Sequence, residues 1–353
     1  MHIIFNPPVN EENKYIEIMV RALQENGFKV HALDNFFYSK AHFQSIKLVH
    51  LNWFENVDDS SFRSAFRSFI RKMFVLSVIR ISGKKLIWTM HNRASHEKGT
   101  GYFSRMITRC LIRWSHRIVI HSEKSRKIIE GQYPEAMEKL FYLPHPDFIG
   151  SYGPIPPPIE QVNPSLLKLL FVGAVKPYKN IELLIRAAGE YKENVSLTIA
   201  GKPNSSSYKQ AIEQVADSAG NVQLMLEFIP DHALPGLMQS ADLLVLPYDL
   251  DSSLNSGTVI LAFSYRKTVI SPEIGTIEDL KDAKEMTFHY NYGSEEEHLE
   301  QLKIQIAKAI ELKNQDRHSF EKLGNKLFVH VNDVHGKELV GKKLVYLYQR
   351  LLE

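Results

Sequence analysis

Asn255, Ser256, Gly257 and Thr258 stand immediately before the apolar stretch Val259 to Phe263. A helix opening there would aim free backbone N–H groups at an anion. Ser256 and Thr258 add hydroxyl donors, and Gly257 lets the backbone come close. The chemistry is phosphate binding, and the alternative is a simple helix N-cap by Asn255 or Ser256. A second chemistry belongs to His91, which closes the run LIWTMH. An imidazole titrating near neutrality at the end of a strand can hydrogen-bond a hydroxyl or take its proton. His50 and Asn52 close the preceding strand in a similar place, and His96 and Glu97 follow His91. HNRASHE lacks the paired four-residue spacing of a zincin helix, so no metal is expected there.

The elements that must position these groups follow an alternating pattern. HIIF reads as a short buried strand, Asn10 to Asn26 as a helix with Ile16, Met19, Val20 and Leu23 on one face, and FKVHAL and SIKLVHL as further strands. A long helix over 60–80, the strand KKLIWTM, a helix from Tyr102 to Ser115 and the strand RIVIHS complete the first half. Residues 150–164, GSYGPIPPPIEQVNP, hold five prolines and two glycines and mark the domain boundary. Beyond it the alternation restarts. LLKLLFVG, LTIAGK and ADLLVLPY each end in Gly, Pro, Lys or Asn, as carboxyl ends of parallel strands do where a nucleotide binds. The expected fold is α/β, with two doubly wound Rossmann-like domains facing an interdomain cleft. Their expected bounds are 1–150 and 165–333, with a linker over 151–164 and a terminal helix over 334–353 that packs back toward the first domain.

With 353 residues and 44% hydrophobic content the chain has enough material for two globular domains. No apolar run approaches the roughly 20 residues that span a bilayer, and the start lacks a basic, then apolar, export signal. Cys110 is the only cysteine, which excludes an internal disulfide and a cysteine-based zinc cluster and points to a cytoplasmic setting. Residues 1–150 carry 22 basic and 14 acidic side chains, whereas residues 151–353 carry 21 and 26. Within 62–127 the count is 16 to 2. Arg63, Arg67 and Arg71 recur every four residues beside Phe62, Phe66, Phe69, Ile70 and Met73, and Arg105, Arg109 and Arg113 repeat the spacing. Cations beside aromatic groups suit an anionic bilayer surface, and the alternative is an ordinary helix packing its aromatic stripe on the domain. The aromatics sit at helix spacing, not on a strand platform, so nucleic acid is not an expected partner.

FVGAVKPYKN, ADLLVLPY with NSGTVILAFSYRKTVISPEIGT, LVHLNW and LIWTMHN, taken in order, resemble glycosyltransferases of the GT-B architecture. The likeness is to family 4 and related mannosyltransferase-like enzymes of bacterial polysaccharide assembly, and it covers nearly the whole chain. It implies that Gly173 and Lys179 keep the spacing of a loop serving the diphosphate of a nucleotide sugar. Ala174 replaces a frequent arginine, so Lys176 is the substitute cation. Ser256, Gly257 and Thr258 would also hold the diphosphate, and Pro247, Tyr248, Asn255 and Glu278 the nucleotide or sugar. His91 matches a histidine beside the donor sugar, with His50, Asn52 and His96 on the acceptor side. Family 4 commonly carries two glutamates eight positions apart, but the corresponding positions fall near Leu254 and on Leu261 or Ala262.

The resemblance therefore implies a metal-independent hexosyltransferase that moves a sugar from GDP-mannose or a UDP-sugar to a hydroxyl of a lipid-linked or polysaccharide acceptor. Capsule or exopolysaccharide assembly is the expected setting, at the inner face of the plasma membrane. No cofactor is expected, because the nucleotide sugar is a substrate. The alternative is a non-catalytic nucleotide-sugar-binding or scaffolding protein on the same fold.

Overall fold

Short runs rich in Ile, Leu, Val and Phe, such as HIIF, KLVHL and LLFV, suit strands buried on both faces of a parallel sheet. In the computed structural model, which describes residues 1–10, 13–58, 61–91, 101–157 and 165–353, they build two parallel six-stranded sheets. The first contains β1 (His2–Asn6), β2 (Lys29–His31), β3 (Ile46–Asn52), β4 (Lys85–Met90), β5 (Arg117–Ile120) and β6 (Leu140–Tyr142), in the order β2-β1-β3-β4-β5-β6. The second contains β7 (Leu167–Val172), β8 (Val195–Ala200), β9 (Val222–Met225), β10 (Leu243–Val245), β11 (Thr268–Pro272) and β12 (Phe288–Tyr290), in the order β12-β11-β10-β7-β8-β9. Strand order reverses between β1 and β3 and between β7 and β10. In doubly wound sheets such reversals open a crevice at the carboxyl ends, where ligands bind.

Helices connect the strands. Those of the first half are α1 (Lys14–Glu25), α2 (Lys40–Ser45), α3 (Phe62–Ile81), α4 (Gly101–Trp114) and α5 (Glu123–Gln132). They are followed by α6 (Ile181–Gly189), α7 (Ser206–Asp217), α8 (Leu234–Ser240), α9 (Gly257–Ser264), α10 (Gly275–Glu278), α11 (Glu295–Gln315), α12 (Ser319–His335) and α13 (Lys337–Leu352). Ser61 and Ser256 cap α3 and α9 by accepting from the N–H groups of Ser64 and Val259. Among the described residues no helix is long and apolar enough to cross a membrane.

The chain divides into two units, residues 1–146 with 335–353, and residues 147–334. The boundary therefore precedes the proline-rich stretch. Phe148 N–H donates to Ser264 Oγ at 2.9 Å, and the Tyr265 hydroxyl donates to the Gly153 carbonyl at 3.0 Å. These bonds make residues 147–157 part of the second unit, and residues 158–164 of the expected linker lie outside the described residues. α13 belongs to the first unit. Its Val340, Leu344 and Tyr348 share a core with Ile16, Met19 and Leu23 of α1. A Cβ at Gly341 would stand 2.7 Å from the Ala22 Cβ, so the two helices approach too closely there for any larger residue.

Candidate active site

At the reversal point of the second sheet, two loops converge on Lys179. β7 runs into Gly173, whose φ of +134° is open to glycine alone, and then into the turn Pro177–Lys179. Asn180, itself left-handed at φ +51°, donates from Nδ2 to the Pro247 carbonyl at 3.0 Å, and Asp249 N–H donates to the Tyr178 carbonyl at 3.3 Å. The loops after β7 and β10 are thereby clamped together. Lys179 Nζ lies 4.4 Å from the centroid of the buried Tyr248 ring and 5.5 Å from that of Tyr178. It makes no ion pair among the described residues. Burial opposes its charge, but the rings of Tyr248 and Tyr178 and the Tyr248 hydroxyl outweigh that and raise its pKa above the ordinary lysine value.

The loop after β10 also brings α9. Ser256 Oγ accepts from Val259 N–H at 3.2 Å and donates to the Tyr248 hydroxyl at 2.9 Å, while Ser256 N–H donates to Thr276 Oγ1 at 2.9 Å. Ser256 is thus a cap and a tie to Tyr248, with its hydroxyl already engaged. The N–H groups of Gly257 and Thr258 have no acceptor among the described residues. Thr258 Oγ1 stands 4.0 Å from where a Cβ on Gly173 would be, so Gly173, Lys179, Tyr248 and the start of α9 share one neighbourhood. Lys176 is half-buried just before the turn, Asn255 directly precedes the cap, and Glu278 ends α10 two residues after Thr276. Sequence reasoning missed Tyr178, Asn180 and Thr276, which hold the loops in place.

In the first unit the carboxyl ends of β3, β4, β5 and β6 gather aromatic rings. The Trp53 indole, at φ +49°, stacks on His91 with centroids 4.0 Å apart and planes 15° apart. Tyr15 meets His91, His121 and His145 at 5.3, 5.5 and 5.1 Å. His121 donates from Nδ1 to the Leu143 carbonyl at 2.7 Å, which leaves Nε2 to accept from the Tyr15 hydroxyl at 3.2 Å. His91 is 8% exposed, and its Nε2 donates to Asn52 Oδ1 at 3.0 Å. Burial, helped by the neighbouring rings of His121, His145 and His50, holds the His91 pKa well below the ordinary imidazole value. Burial likewise lowers His121 to about 4 and His145 to about 3. These imidazoles are neutral near pH 7, suited to hydrogen bonding a hydroxyl and not to neutralising a phosphate.

Two acceptor-side expectations change. His50 is 1% exposed, and both its nitrogens are engaged at 2.6 Å, Nδ1 with the Tyr348 hydroxyl and Nε2 with Thr89 Oγ1, so it is a core residue. Asn52 accepts from His91 and donates to the Asn6 carbonyl at 3.2 Å, which makes it the group that orients His91. His96 lies outside the described residues. Trp53, Tyr15, His121 and His145 were not singled out, although His121 directly follows the strand RIVI, as His91 follows its own.

Trp53 and Asn6 also line a cavity of about 430 Å³ whose other walls include Asp34, Ser64, Arg67 and Arg71. Arg71 pairs with Asp34 at 2.8 Å across exposed surface. The aromatic stripe of α3 does not pack wholly on the domain. Phe62 and Phe74 are 71% and 59% exposed, and Phe66 and Ile70 between them are exposed too, beside exposed Arg63, Arg67 and Arg71. Phe69, by contrast, is half-buried and meets Phe103 of α4 at 5.0 Å.

Residues 158–326 match the family model described as "Glycosyl transferases group 1". A GDP-mannose:glycolipid 4-beta-D-mannosyltransferase of Xanthomonas campestris pv. campestris is 24% identical over 199 residues, 56% of this chain and 53% of that protein. The match thus spans about half the length of the curated relatives. Sucrose-phosphate synthase from Thermosynechococcus elongatus has a TM-score of 0.75 at 14% identity, covering 99% of this chain and 98% of that one. Anabaena HepE in complex with UDP has a TM-score of 0.68 at 13% identity, covering 99% of this chain and 100% of that one. With its two doubly wound sheets the chain has the GT-B fold, and residues 158–326 are similar to the glycosyl transferases of group 1.

Proposed function

We propose that the protein transfers a hexosyl group from a nucleotide-diphosphate sugar to a hydroxyl of a lipid-linked or polysaccharide acceptor in surface-glycan assembly. The observation that carries this reading is the convergence of Gly173, Lys179, Tyr248 and the N–H groups of Gly257 and Thr258 at the reversal point of the second sheet. As the glycosidic bond breaks, negative charge grows on the departing diphosphate. A lysine held charged and oriented N–H groups stabilise that charge more than they stabilise the bound donor. Lys176 adds a second cation from the same loop. Pro247, Tyr248, Asn255 and Glu278 hold the nucleotide or sugar in this reading. Catalysis needs no cofactor or metal in this reading.

GDP-mannose is the first donor to test, because the curated relatives are named for it, and UDP-glucose is the second, because HepE has been solved with UDP and UDP-glucose. The first unit serves the acceptor. His91, kept neutral and held by Asn52, hydrogen-bonds a sugar hydroxyl, and the cavity beside Trp53 offers Ser64 and Arg67 to the rest of the acceptor. The exposed Phe62, Phe66, Ile70 and Phe74 with Arg63, Arg67 and Arg71 fit docking on an anionic bilayer at its cytoplasmic face, where a lipid-linked acceptor is reached. Incubation with radiolabelled GDP-mannose or UDP-glucose and a bacterial lipid extract tests the reading. Label appearing in the organic phase is the expected result, and its absence with both donors would overturn it.

A second reading is a non-catalytic nucleotide-sugar-binding protein on the same fold. It is favoured by α9, where the positions expected to carry a glutamate hold buried Leu261 and Ala262. Donor binding in calorimetry without transfer or hydrolysis would select this reading.

A further inference from the structure

Three imidazoles from separate elements meet at the edge of the first sheet. His2 opens β1, His31 closes the edge strand β2 and His42 lies in α2, and one ligand nitrogen of each lies within 4.8 Å of the other two. His2 Nδ1 and His31 Nε2 are 3.0 Å apart, and their rings stack at 5.1 Å with planes 7° apart. His42 meets His31 edge-on at 4.7 Å. Nε2 of His42 is buried and has no hydrogen-bond partner among the described residues. Buried polar atoms are nearly always satisfied, and an exception calls for an explanation.

We propose that His2, His31 and His42 form a divalent transition-metal site of the zinc class, completed by solvent, that pins β2 and α2 to β1. Imidazole nitrogen suits such ions, and a tetrahedral zinc with Zn–N of about 2.0–2.1 Å sets its ligand nitrogens roughly 3.4 Å apart. Small side-chain rotations bring the trio to that spacing, and the ion supplies the missing partner of His42. All three residues are half-buried, so the site has an entry path. Lys29, which faces His2 and His31, is exposed, and solvent screens its repulsion. His2 stands at the amino end of β1, whereas Asn52 and His91 stand at carboxyl ends, so the ion has a structural role apart from sugar transfer. The expectation of no metal was drawn for catalysis, from the loop after His91 and from the resemblance, and did not weigh these three positions.

The test uses the untagged full chain, stripped with EDTA and dialysed, then titrated with zinc chloride by calorimetry. One zinc per chain is expected, with a melting temperature that climbs as zinc is added. His42→Ala should weaken binding by at least about tenfold, since even the loss of a group supporting a ligand costs that much. His318→Ala, at an exposed histidine elsewhere, should leave binding unchanged. His42→Cys, loaded with Co2+, should show a thiolate charge-transfer band, which reports ligation directly even if the alanine variant folds poorly. No saturable binding, unaltered affinity in His42→Ala, or no charge-transfer band would each overturn the proposal.

Discussion

Lys179 holds its ammonium 4.4 Å from the centroid of the Tyr248 ring, and the hydroxyl of that same tyrosine accepts from Ser256, the cap of α9. One aromatic side chain therefore links the cation of the β7 loop to the amino end of the helix after β10. Because the lysine has no carboxylate partner among the described residues, its charge is available to a ligand. Its position depends on two clamps, the Asn180 side chain to the Pro247 carbonyl and the Asp249 N–H to the Tyr178 carbonyl.

Replacing Lys179 with alanine should lower sugar transfer by on the order of tenfold to a thousandfold, the range for removing one group that stabilises charge in the transition state. The urea midpoint should move little. Near wild-type transfer rates would remove the lysine from the site.

Gly201→Ala should be strongly destabilising. At φ +150° its new Cβ would stand 1.8 Å from the Gly173 carbonyl oxygen, a clash with backbone that cannot turn aside. Strain and overpacking together predict a loss of roughly 3 kcal/mol or more. Chemical denaturation measures it, and donor affinity should fall as well if the Gly173 loop holds the donor as proposed.

Acid should unfold the first unit early. His50, His121 and His145 are lowered by burial to about 3, 4 and 3, whereas an unfolded histidine titrates near its ordinary value of 6.5. As pH falls below that value the unfolded chain takes up protons that the folded chain does not. Stability is thus present above about pH 6.5 and declines toward pH 4, by up to about 1.4 kcal/mol per pH unit for each histidine. Glu55, raised by burial, opposes this as a single group. Urea unfolding at pH 7, 6 and 5 checks the slope, and a flat profile would contradict buried neutral histidines.

Changing Arg63, Arg67 and Arg71 to glutamate should abolish sedimentation with anionic liposomes while leaving donor binding intact, since all three lie on the exposed face of α3. Neutral liposomes serve as the control. Unchanged sedimentation would make the arginines a solvated face.

Strand existence and type were readable from sequence, because a buried parallel strand announces itself as a short unbroken apolar run. So was the start of α9, where a small polar cluster precedes VILAF. The boundary was read too late, because prolines signal irregular backbone without saying which unit it joins. The bonds from Phe148 to Ser264 and from Tyr265 to Gly153 join partners more than a hundred residues apart. His50 and His91 looked equivalent as histidines at or near strand ends, yet the group that occupies His50 is Tyr348, 298 residues further along.

Sequence alone thus determined two strand-and-helix repeats, the glycine and lysine spacing of the loop after β7, and a basic, aromatic α3. Each of these depends on spacing within a few residues, which the chain displays directly. Tertiary structure decided that Ser256 is engaged by Tyr248, that Asn52 serves His91, that Trp53 stacks on it, and that His2, His31 and His42 meet. Those relationships arise only when strands and helices far apart in the chain pack to exclude water, and burial then sets which polar groups are satisfied and which histidines stay neutral.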